Sequence, residues 1–142
     1  MKAISIRQPW ASFIVDGPKC IENRSRNIVG SYRGRVLIHA SRYKAKQSEQ
    51  EEIWDWLLRR GLYGRSSSAT GIMGSDWNAL PCGYIIGVAD LVDVVTDSED
   101  PWFVGPVGLV LANVRKLTPH ACKGKLGLFE ALADGALDTQ TL

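Results

Sequence analysis

Eight consecutive residues, Gly17-Pro-Lys19-Cys-Ile-Glu22-Asn-Arg24, set two cations and a carboxylate close together in the chain. A lysine offers a phosphate a point charge, and an arginine offers a planar fork that grips two oxygens at once. On an extended segment, Cys20, Glu22, Arg24 and Arg26 project from one face, and Lys19, Ile21, Asn23 and Ser25 from the other. Glu22 then has two readings. It pairs with Arg24 as a surface ion pair contributing about 0–1 kcal/mol, or it orients Arg24 and accepts from a base amino group, as carboxylates do with cytosine N4. Lys19 joins the same face only if the Gly17-Pro18 turn re-aims it, and we take it to do so.

Further candidates flank this segment. Arg7 adds a cation, Gln8 can read a base edge, and the Trp10 indole can stack on a base for about 1–3 kcal/mol. The alternative for Trp10 is core packing. His39 and Ser41 share one strand face, where the imidazole either changes charge near neutral pH in a cleft or sits hydrogen-bonded in the core. Trp102 and Phe103 follow an acidic run and read as a loop anchor, with a stacking wall as the alternative. Cys122-Lys-Gly-Lys-Leu-Gly127 is glycine-rich and basic; its spacing fits no phosphate loop, but it remains available to a backbone phosphate.

Those residues need elements to hold them. Residues 2–7 alternate as a short strand, after which Pro9 suits the first turn of a helix through Trp10, Phe13, Ile14 and Val15 that ends at Gly17-Pro18. Residues 33–41 form a strand with Val36, Ile38 and Ala40 on one face and Leu37, His39 and Ser41 on the other. A helix over 48–60 is expected, capped by Ser48 with Glu51 and ended at Gly61. Its apolar stripe is Ile53, Trp54, Leu57 and Leu58, with Trp56 at the margin. Residues 61–82 lack a period and read as a flexible, Gly/Ser-rich insertion. Residues 83–96 form a strand with a bulge at Gly87, residues 107–117 another, and 118–129 a loop with a short strand. Five or six strands and two main helices, with strands close together in the second half, predict an α+β fold built on a small, strongly curved sheet or barrel.

At 142 residues the chain is expected to be one domain with a real core. No apolar run reaches membrane-spanning length and no signal-peptide pattern opens the chain, so no membrane role and a cytoplasmic location are expected. Cys20, Cys82 and Cys122 lack paired spacing, which argues against a disulfide framework. His120 and Cys122 are too few for a metal site, and no cofactor or metal is expected. Net charge is only +2, but it is unevenly spread. Residues 1–46 carry ten Lys/Arg against Asp16 and Glu22, and the remainder is acidic. One basic pole steers an anion, and nucleic acid is the obvious candidate.

The G-x-K-x-x-E-x-R motif, preceded by "SIRQPWA" and followed by "LIHAS", "PWFVGPVGLVL", "VRKL" and "KGKLGLF" in that order, resembles the ASCH domain (activating-signal-cointegrator homology) family over most of the chain. The resemblance implies a PUA-like β-barrel. With the basic pole, it leads us to expect a monomer that binds RNA, another single-stranded nucleic acid or a modified nucleotide in a cleft beside the first helix. The ligand-binding set is then Arg7, Gln8, Trp10, Lys19, Glu22, Arg24, His39 and Ser41. The resemblance also carries an enzymatic alternative, because some very small members resemble amidohydrolases acting on N4-acetylcytidine. Those have a Lys matching Lys19 and a nucleophilic Thr where this chain has Glu22. Glu22 has no hydroxyl, so catalysis by Lys19 and Glu22 would need the carboxylate as general base on a water and Lys19 holding an oxyanion. Ribonuclease activity is attributed to some members, yet no second candidate base is evident in this sequence.

Overall fold

The computed structural model describes residues 1–62, 76–132 and 137. Its elements in chain order are β1 (Lys2–Ile6), α1 (Trp10–Val15), β2 (Ile21–Arg24), β3 (Gly34–Ala40), α2 (Gln47–Arg59), a single 3-10 turn (Trp77–Ala79), β4 (Tyr84–Val95), β5 (Val107–Ala121) and β6 (Leu128–Glu130). The six strands form one curled sheet in the order β2-β5-β4-β3-β1-β6. This is the small α+β, PUA-like half-barrel that the resemblance implies. All pairings are antiparallel except β1 with β3, whose parallel register sets Ile4 beside Ile38 and Ser5 beside His39.

Alternation along β3 divides two of the cores. Val36, Ile38 and Ala40 face a cluster containing Ile4, Ile6, Ile14 and Leu109, while Leu37 faces Ile85, Val88 and Phe129 on the other side. The short helix α1 buries Ala11, Phe13, Ile14 and Val15. It lies so close to β4 that a Cβ on Gly87 would stand 2.3 Å from Val15 Cγ1. The register shift between Ile85 and Gly87 is the expected bulge. A third cluster is aromatic: Phe13, Trp77 and Trp102 are buried with Leu57, and Trp10, Trp54 and Trp56 pack against them. This cluster seats α2, and the stacked rings of Trp54 and Trp77, 4.6 Å apart, tie the helix to the 3-10 turn.

Several expectations shift. The α2 cap is two residues earlier than Ser48/Glu51: the Glu49 carboxylate accepts the Lys46 backbone N–H, and the helix covers 47–59. Leu58 leaves the apolar stripe and is 59% exposed. Strand β5 runs on through Thr118-Pro119-His120-Ala121, where a loop was expected. Pro119 is tolerated because β5 has by then run past its short neighbour β2, which pairs only with 107–110. Of the expected 61–82 insertion, residues 63–75 lie outside the described residues. Trp77 near its end is buried, and the Asp76 side chain caps the 3-10 turn.

Candidate nucleotide-binding cleft

Curling of the sheet brings β2 against β1, although they are not neighbours in strand order. Arg24 Nη2 closes this gap by donating to the Ser5 carbonyl at 2.8 Å. The same nitrogen lies 3.1 Å from Glu22 Oε2, and Lys19 Nζ lies 3.6 Å from Glu22 Oε1. The three motif side chains therefore converge on one carboxylate. Lys19 follows the Gly17-Pro18 turn, with its backbone N–H bonded to Phe13 O at 3.2 Å. Its ammonium donates to Ile21 O and sits 5.4 Å from the Trp10 ring and 5.8 Å from that of Trp102. Lys19 is 3% exposed, and burial pulls its pKa below 10.5 against the opposing pull of Glu22. Arg24 Nε is buried without a hydrogen-bond partner among the described residues.

Glu22 and Arg24 open onto a hollow of about 700 Å³, whose lining also includes Ser5, Arg7, Trp10, His39 and Ser41. Its far wall is Arg42 and Tyr43, with the Lys123–Gly127 loop as a lip. Five cations (Arg7, Arg24, Arg42, Lys123 and Lys125) thus surround a single carboxylate. The Arg7 guanidinium lies 4.0 Å from the centre of the Tyr43 ring, and the Tyr43 hydroxyl donates to Glu49 at the start of α2. His39 is held at both nitrogens: Nε2 is 2.6 Å from Cys122 O and Nδ1 is 2.9 Å from Ser5 Oγ. A carbonyl only accepts, so neutral His39 carries its proton on Nε2 and the Ser5 hydroxyl donates to Nδ1. Burial lowers the His39 pKa. Gly124 lies flat over this pair, and a Cβ there would stand 2.7 Å from His39 Cε1 and 3.0 Å from Ser5 Oγ.

Of the residues the sequence nominates, Arg7, Trp10, Glu22, Arg24, His39 and Ser41 line this hollow. Lys19, expected in the same cleft, does not line it: it meets Glu22 at 3.6 Å and lines a second, adjoining hollow instead. Gln8 is not brought into the hollow. It is 5% exposed, its Nε2 donates to Pro81 O and its Oε1 accepts from the Ser12 N–H, so its amide serves the start of α1. Trp102 is the buried anchor that the sequence favours.

Ser5, Asn23, Arg42, Tyr43 and the 123–127 lip are lining residues that the sequence reading did not nominate, though Lys123-Gly-Lys125 was flagged by composition. The parallel β1–β3 register, which sequence spacing does not reveal, brings Ser5 to His39. Asn23 lies between the two hollows and secures the 102–105 segment, donating to Trp102 O and accepting the N–H groups of Val104 and Gly105. Among the described residues no group of three or more His, Cys, Asp or Glu side chains could hold a metal, and no helix is long and apolar enough to cross a membrane.

The segment that carries the motif also matches known proteins. A family model described as ASCH domain matches residues 4–103, which include Lys19, Glu22, Arg24, His39 and Ser41. Activating signal cointegrator 1 of Homo sapiens is 31% identical over 96 residues, covering 68% of this chain and 15% of that protein. The chain therefore spans a small part of the relative that it matches. On the length of the family match and the level of identity, the chain belongs to the ASCH domain family.

Proposed function

We propose that the protein binds RNA through the cationic hollow, with phosphate at Arg7, Arg24, Arg42, Lys123 and Lys125 and an unstacked base at the Trp10–Glu22 wall. The observation that carries this reading is five cations gathered around one buried carboxylate in a chain of net charge only +2. Such a concentration focuses anions on one face. Arg24 supports it further. A buried, unpartnered guanidinium nitrogen costs about 1–3 kcal/mol, so stability alone would not favour this pose. A single-stranded or extruded nucleotide suits the cleft, because paired bases are hidden within a helix.

The test is anisotropy of a labelled single-stranded RNA across a salt series. Binding should weaken steeply with salt and be lost in Arg24→Gln, whereas salt-insensitive binding argues against a phosphate site. The hydrolase alternative rests on Lys19, buried beside Glu22. It is weakened by the cations at both Glu22 oxygens, because nearby positive charge makes a carboxylate a weaker base. Turnover of a neutral N4-acylated cytidine, abolished in Glu22→Gln and indifferent to salt, would favour the enzyme.

A further inference from the structure

The cationic hollow has a neighbour of a different character. A second hollow of about 560 Å³ lies on the α2 side and shares Trp10, Glu22 and Asn23 with the first. Its own walls are Ile53, Trp56 and Val104, its floor is the buried Lys19, and Glu52, Asp55 and Arg59 stand around it. Cations and carboxylates are nearly balanced here, and the Asp55–Arg59 pair, 3.3 Å apart, is one reason. The Trp10 and Trp56 rings meet at 87° with centroids 5.7 Å apart, which makes a corner. A planar ring placed there stacks on one indole and meets the edge of the other. Asn23 makes the shared wall rigid, since its amide is occupied at both ends.

We infer that this second hollow is a nucleobase subsite, divided from the phosphate-holding hollow by the Glu22–Arg24 pair. The inference rests on the RNA-binding reading above and adds where the base goes. Charge separates the two halves. The side with five cations and one carboxylate takes the polyanionic backbone; the balanced, indole-lined side takes the neutral aromatic ring. The volume falls within the ~300–1,000 Å³ of ordinary small-molecule sites, so a base enlarged by modification is also admitted.

The test compares two short RNA strands of equal length and charge, one carrying a single cytosine among abasic residues and the other wholly abasic. The base-bearing strand should bind about tenfold tighter, the scale of one base–aromatic stack. Val104→Trp fills the hollow from a position that is 55% exposed and so leaves the core alone. It should erase that gain while leaving the abasic strand's affinity unchanged, and Trp56→Ala should do the same. A gain that survives Val104→Trp, or no gain in the wild type, overturns the subsite while leaving the phosphate site standing. If neither strand binds, the RNA-binding reading itself fails, and the subsite with it.

Discussion

Lys19 Nζ stands 3.6 Å from Glu22 Oε1, the lysine side chain 3% exposed and the glutamate 10%. Two groups that bear opposite charges when ionised, three residues apart at the start of β2, have thus been taken largely out of water. Their partnership is unequal. Glu22 also faces Arg24 at 3.1 Å, whereas Lys19 has only Glu22 as an ion-pair partner among the described residues. Removing one member of a buried pair costs about 3–5 kcal/mol because the other is left uncompensated. Glu22→Gln strands two cations and should destabilise by that full amount. Lys19→Met leaves the carboxylate still served by Arg24 and should cost less. Urea denaturation of the two variants and their double mutant measures this. If Lys19→Met costs more than Glu22→Gln, the two partners have been ranked in the wrong order.

Gly124 controls the lip of the cationic hollow. An added Cβ would stand 2.7 Å from His39 Cε1, closer than real contacts allow, and a tight 3.0 Å from both His39 Nδ1 and Ser5 Oγ. His39 is fixed at both ring nitrogens, so the lip must yield rather than the ring. Gly124→Ala should therefore displace Lys123 and Lys125 and weaken RNA binding several-fold, while folding stability changes by only about 1 kcal/mol. Paired anisotropy and thermal melts separate the two effects. Unchanged binding would mean that the lip does not meet the ligand.

Local pattern and long-range pairing were not equally legible. Alternation in 33–41 sorted Val36 and Ile38 from Leu37 and His39 because one residue's step along a strand fixes its face. The motif grouped Glu22 with Arg24 for the same reason. Sequence spacing held no trace of the parallel β1–β3 register that sets Ser5 on His39, or of the curl that lets Arg24 reach the Ser5 carbonyl. The basic pole was read as residues 1–46, but Lys123 and Lys125 complete it from the far end of the chain, since β6 returns beside β1. Gln8 looked like a reader of base edges by type alone. Ser12 in the first helix and the distant Pro81 take up its amide instead.

His39 should give the protein an acid limb in its stability. Burial holds its folded-state pKa below the ordinary 6.5, with Arg42 adding to the effect and the bond to Cys122 opposing it. The unfolded chain takes up its proton near pH 6.5, whereas the folded chain resists until lower pH. Between those two values the unfolded state binds more protons, so stability falls as pH falls. The contribution is complete above about pH 6.5 and is lost as pH drops through the folded-state value. Denaturation midpoints measured across that range should fall more steeply for the wild type than for His39→Gln. Parallel curves would show that His39 titrates alike in both states.

The salt response can be divided among the cations of the hollow. Each phosphate neutralised on a single strand adds about −0.7 to the slope of log Kobs against log salt. Arg42→Gln, Lys123→Gln and Lys125→Gln should each make the slope shallower by about that amount, to the same extent for every RNA sequence, because backbone contacts carry no base information. A control has its cation elsewhere: Lys116, bonded to Asp16 at 2.7 Å. Lys116→Gln should leave the slope where it was. A slope that responds to this control as strongly as to the three lining residues would mean that RNA is held by diffuse surface charge, and the hollow would lose its claim to the phosphates.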